Sequence, residues 1–73
     1  MERTYPYDLS IVIPLLNEAE SLSLLQKRIA TTMQQAGITY EVIYVDDGST
    51  DESWQIIVAL HQANPESVKA LRF

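Results

Sequence analysis

The sequence predicts an α/β fold: a three-stranded parallel sheet in β-α-β-α-β order, with spatial strand order 3-2-1. Three observations lead there. Short apolar, β-branched runs recur at 9–14, 40–45 and 67–73. Two longer stretches between them carry apolar residues at three- and four-residue intervals, the helical period. Strands that alternate with helices pair in parallel through right-handed crossovers.

The first eight residues, "MERTYPYD", read as a lead-in. They are charged and polar and lack the apolar core of a signal peptide. "LSIVIP" (9–14) follows as a short buried strand stopped by Pro14. "NEAESLSLLQKRIATTMQQAG" (17–37) is the first helix. Asn17 is expected as its N-cap, with Glu20 at the capping-box spacing. Leu22, Leu25, Ile29, Met33 and Ala36 are expected to form the apolar face. Gly37 is placed to end the helix in a left-handed turn.

"YEVIYV" (40–45) is the second strand. Val42 and Tyr44 should face one way, and Ile43 and Val45 the other. Ser49 and Glu52 repeat the capping-box spacing, and Ser53, Ile56, Ile57 and Leu60 continue at helical intervals. Asn64-Pro65 ends this second helix, because proline disfavours α geometry in the residue before it. "SVKALRF" (67–73) is a third strand that stops at the last residue. Two right-handed crossovers across order 3-2-1 put both helices on one face of the sheet. The other face is then bare, and the first strand is an open edge. Both faces of the second strand are apolar, and such strands need cover on both sides. The expectation is a truncated domain, or one that associates through its uncovered surface.

Composition narrows the function classes. Seventy-three residues with 47% hydrophobic content suit one small globular unit. A chain this short buries only about 60% of its unfolded surface. With no Cys and one His, it has no disulfide framework and no Cys/His zinc site. The absence of Cys fits a reducing cytoplasm. Net charge is −5, and the five basic residues are scattered, so no nucleic-acid partner is expected. The apolar run from Ile11 to Leu16 is too short to span a bilayer.

Ligands of open α/β sheets sit outside the carboxyl ends of the strands. Two such ends carry polar clusters: "PLLNE" (14–18) and "VDDGSTD" (45–51). Parallel neighbours would place Pro14, Leu16, Glu18, Val45, Asp46 and Asp47 around one crevice. An ionised carboxylate only accepts hydrogen bonds. It suits ribose hydroxyls or a base N–H, and it repels a bare diphosphate unless a hard cation intervenes. No glycine-rich phosphate loop follows the first strand. A nucleoside pocket fits best, with the phosphate end held elsewhere. Asp and Ser also stabilise such turns without any ligand, and Asp51 and Glu52 are read as helix-start residues. His61, Trp54 and the tyrosines are read as structural.

"LSIVIPLLNEAESL" with "YEVIYVDDGSTDES" resembles the opening of family 2 glycosyltransferases, the inverting GT-A enzymes. It is most similar to the branch of dolichyl- and polyprenyl-phosphate sugar synthases. The resemblance covers 9–73 and implies the N-terminal part of a Rossmann-like GT-A nucleotide-binding domain. It implies that Pro14, Leu16 and Glu18 line a nucleoside on one side, with Val45 and Asp47 on the other and Asp46 beside them. Leu16 departs from the family pattern, which commonly has an aromatic there. No Asp-x-Asp occurs in this sequence. The Mg²⁺ or Mn²⁺ ligands and the catalytic carboxylate are therefore expected outside the segment, which alone should be inactive. The implied donor is a UDP- or GDP-linked sugar, and the acceptor a polyprenyl phosphate, in glycan or cell-envelope biosynthesis. The implied location is the cytoplasm, at the inner face of the membrane, with any membrane anchorage beyond Phe73. Two other readings compete. One is a non-enzymatic binding module that forms a homodimer through the uncovered sheet face or the first strand's edge. The other is a receiver domain, which would need an Asp after a third strand.

Overall fold

The computed structural model describes residues 6–73. The elements run β1 (Leu9–Leu15), α1 (Ala19–Ala36), β2 (Tyr40–Asp46), α2 (Ser53–Ala63) and β3 (Val68–Arg72). All three strands pair in parallel, in the order β1-β2-β3, which is the expected sheet. Of the lead-in, residues 1–5 lie outside the described residues. Its end is tied down. Asp8 exchanges backbone and side-chain hydrogen bonds with Thr39 at 2.9–3.1 Å, and the Tyr7 hydroxyl donates to the Glu66 carbonyl.

Register sorts the strand residues into two sets. Ile11 pairs with Val42, Ile13 with Tyr44 and Leu15 with Asp46. On the other side of β2, Val42 pairs with Val68 and Tyr44 with Ala70. This set faces the helices. With Leu22 and Ile57 it forms the core: Leu15, Leu22, Val42, Tyr44, Ile57 and Val68 are buried. Ile29, Trp54, Ile56 and Leu60 pack against them. The alternate set holds Val12, Pro14, Ile43, Val45 and Leu71, and it stays open. Val12 is 61% exposed and Leu71 54%. The uncovered apolar face expected from the topology is therefore present, and β1 and β3 are both edges of the described sheet.

The helices correct two details. The inward stripe of α1 runs through Leu22, Gln26, Ile29 and Met33, while Leu25 is 37% exposed and Ala36 is exposed. Gln26 is buried because its Oε1 accepts from the Tyr44 hydroxyl at 2.6 Å. A buried hydroxyl needs such a partner, and only the 22–26–29 face of the helix reaches β2. Burial, with the neighbouring Tyr40 adding to it, pushes the Tyr44 phenol up to about 12. Neither helix begins with a capping box. Asn17 and Ser49 make no N-cap bond to their own helices, and both reach across to the other loop, as described below. Gly37 does take the left-handed C-cap conformation, with φ 67°. His61 is structural: its Nδ1 donates to the Val68 carbonyl at 2.6 Å.

Candidate functional site

The carboxyl ends of β1 and β2 leave the sheet side by side. Pro14 is paired with Val45 and Leu15 with Asp46. One step further on, the Asp47 N–H donates to the Leu15 carbonyl at 3.0 Å. The two expected loops are thus joined at their base by a backbone bond.

Above that bond the loops clasp each other. Asn17 turns the chain from strand to helix with φ 54°, in the left-handed region, which Asn tolerates better than most residues. Its Oδ1 accepts from the Thr50 N–H at 2.9 Å and the Asp51 N–H at 3.2 Å. In return, Ser49 Oγ accepts from the Asn17 N–H and Ser53 Oγ from the Glu18 N–H, both at 2.9 Å. Asp51 serves both helix starts. One of its oxygens accepts from the Ser53 N–H at 2.9 Å and the other from the Ala19 N–H at 3.3 Å. Helix N-termini favour a carboxylate, and hydrogen bonding from Ser53 holds this one below the usual range. Asp51 is therefore the helix-start residue it was expected to be, for two helices at once. Gly48, at φ 92°, makes the turn between the acidic pair and Ser49.

The candidate residues occupy three settings. Pro14 and Val45 are neighbours on the open face of the sheet. Leu16, Glu18 and Asp47 are exposed on the loops. Asp46 lies inside, on the helix-covered side, and is fully buried. Its Oδ1 accepts from the Ser49 N–H at 2.9 Å. Its Oδ2 has no hydrogen-bond partner, but Arg72 Nε lies 3.9 Å away. Hydrogen bonding from Ser49 keeps the Asp46 carboxyl below its ordinary range against the opposing effect of burial, and Arg72 helps. The Arg72 guanidinium in turn sits over the Trp54 ring, 5.4 Å from its centre, a cation–π distance. Asp46 thus braces the second loop from beneath. Sequence reasoning missed the bracing roles of Asn17, Ser49 and Ser53. Their signal was the run of small polar residues, but their partners lie 32 to 35 residues away.

A hollow of about 260 Å³ lies over the start of α1, lined by Asn17, Glu18, Ser21 and Asp51 among others. Three others are larger: two of about 510 Å³ each lie at the opposite end of the strands beside Pro6 and Tyr7, and one of about 360 Å³ lies on the outer side of α1 at Leu24 and Arg28. The carboxyl end is where parallel sheets bind ligands, so size does not decide between them. Among the described residues, no group of three or more His, Cys, Asp or Glu side chains could hold a metal ion. Asp46 is already engaged with Ser49 and faces Arg72. Among the described residues, the acids do not gather into a divalent-metal site. No helix among the described residues is long and apolar enough to cross a membrane.

Comparison with known proteins places this architecture. Residues 10–73 match the family model described as Glycosyl transferase family 2. Over 62 residues the chain is 40% identical to the undecaprenyl-phosphate 4-deoxy-4-formamido-L-arabinose transferase of Sodalis glossinidius (strain morsitans). That match covers 85% of this chain and 19% of the relative, so the chain spans about a fifth of that protein's length. The family match over nearly the whole sequence, together with this identity, shows that the chain belongs to glycosyl transferase family 2.

Proposed function

We propose that this segment is the nucleoside-binding half of the donor site in a GT-A glycosyltransferase. The observation that carries the reading is the union of the two strand ends, sealed by the Asp47-to-Leu15 bond. Pro14 and Val45 supply apolar contact to base or sugar, and Leu16 and Glu18 line the first wall. The Asp47 carboxylate accepts from a base N–H or from ribose hydroxyls. Asp46 belongs to the site by holding the loop that carries Asp47. The donor is a UDP- or GDP-linked sugar.

In the whole enzyme, the bond from the anomeric carbon to the nucleotide diphosphate breaks with inversion. An acceptor oxygen forms the new bond, and the nucleoside diphosphate leaves. The name of the Sodalis relative supports a polyprenyl phosphate as acceptor. Such a phosphate is already ionised, so it gives up no proton in the attack. Mg²⁺ or Mn²⁺, on ligands outside this segment, would neutralise the leaving diphosphate. The protein would work at the cytoplasmic face of the membrane, with residues 1–8 as lead-in and 9–73 as the first part of the domain.

The test is titration of the chain with UDP and GDP, followed by NMR. Shifts should centre on residues 14–18 and 45–47. Asp47→Asn should weaken binding by about tenfold, the scale of one hydrogen bond to a charged group. Shifts that centre instead around Tyr7 and Thr39 would sink the assignment. Turnover by this chain alone would refute its being only a half-site. A second reading, a homodimer through the open sheet face, is favoured by the exposure of Val12 and Leu71. It predicts a dimer in sedimentation at micromolar concentration.

A further inference from the structure

Asn17 lies between two of the candidate residues yet is committed elsewhere. Its carboxamide oxygen already accepts from the Thr50 and Asp51 N–H groups. It is not the cap of α1 either, since its side chain leaves its own helix for the opposite loop. We propose that Asn17 is a positioning residue that sets the separation between the two walls of the crevice. The proposal rests on the nucleoside-site reading above.

Three features of the geometry support this. First, Asn17 is the one non-glycine residue with positive φ among the described residues, so the backbone is bent at the point where Leu16 and Glu18 flank it. Second, the bonding is reciprocal. Asn17 accepts from Thr50 and Asp51, and its own N–H donates to Ser49 Oγ. Third, the receiving loop is itself fixed: the Ser49 N–H is held by the buried Asp46 carboxylate. One wall carries Leu16 and Glu18, and the other carries Asp47 two residues before Ser49. Asn17 is the residue of the first wall whose side chain reaches the second, where it meets the side chains that Ser49, Asp51 and Ser53 send the other way.

Two substitutions separate the parts of this role. Asn17→Gly keeps the left-handed backbone but deletes the acceptor oxygen. Asn17→Asp keeps an acceptor oxygen and tolerates the same φ. With UDP or GDP as probe, Asn17→Gly should lose about tenfold in affinity, the scale of lost hydrogen bonds, while Asn17→Asp should stay within about threefold. Amide hydrogen exchange is read in parallel. Asn17→Gly should speed exchange at Thr50, Asp51 and Asp47, and leave Val42, deep in the sheet, as protected as before. Equal loss of protection at Val42 and Asp47 would mean a merely structural residue and would overturn the proposal. So would nucleotide affinity unchanged in Asn17→Gly. If the unaltered chain binds neither nucleotide, the nucleoside-site reading fails on its own. The exchange data then decide: unchanged protection at Asp47 shows that Asn17 does not hold the walls together.

Discussion

Tyr44 and Gln26 form a buried polar pair whose worth can be measured. Tyr44 is fully buried, and its hydroxyl donates to Gln26 Oε1 at 2.6 Å. Tyr44→Phe removes a hydrogen bond worth about 1 kcal/mol net and leaves a buried acceptor unpaired, at about 1–3 kcal/mol. The phenylalanine no longer has a hydroxyl to desolvate, which offsets part of this. The expected loss is about 1.5 kcal/mol. Gln26→Leu should cost a similar amount by stranding the hydroxyl. The double substitution removes both polar groups and should cost less than the two singles added together, with a coupling of about 1–3 kcal/mol. Urea unfolding followed by Trp54 fluorescence is the assay. A slope of about 1 kcal/mol per molar, usual for small chains, turns the single-variant loss into a midpoint shift of about 1.5 M. The phenol adds an alkaline signature. Its pKa rises on folding from 10.0 to about 12, so the neutral form is the one that fits. The stability it contributes is complete below the unfolded value and is lost as pH climbs from about 10 to about 12. Tyr44→Phe should lack that alkaline loss. Strict additivity of the two single variants, or an alkaline limb unchanged in Tyr44→Phe, would refute the reasoning.

At the acid end, Asp46 and Asp51 both have depressed carboxyls. Their contribution is present above the ordinary Asp range and lost as pH falls through their lowered values, so an acid titration by circular dichroism should lose a step in Asp51→Asn. Gly48→Ala should cost about 1–2 kcal/mol in the same urea assay, because φ is 92°. The space around the added methyl is empty, so the whole cost is backbone conformation. Val12→Glu on the open face should leave the unfolding free energy within about 0.5 kcal/mol while abolishing any dimer seen in sedimentation. A dimer that survives it would place the contact elsewhere.

Strand positions were legible to within about a residue, because short β-branched runs bounded by Pro, Gly and Asp have few other uses. The open face was legible too, since handedness leaves the helices no choice of side. The inward residue of α1 was not. Leu25 has the better hydropathy, but Gln26 is drawn in by a hydroxyl on β2, a demand that appears only once the two elements meet. The same holds for the caps. Asn17 and Ser49 satisfy the local capping rule by identity and spacing. The structure spends both side chains on partners more than thirty residues away. The neighbouring strand ends followed from topology alone. The interior setting of Asp46 against the exposed setting of Asp47 is the two-residue alternation of β2 carried one step past its end.

The clasp also bears on how this segment assembles. Its bonds join residues 17 to 19 with residues 49 to 53, so neither βα unit can build the proposed nucleoside site by itself. The clasp closes only after the first crossover has brought β2 beside β1, a non-local step that is slow in folding. Any small molecule seated there would by mass action protect the entire chain from unfolding, and thermal shift on the unmodified polypeptide would register its arrival.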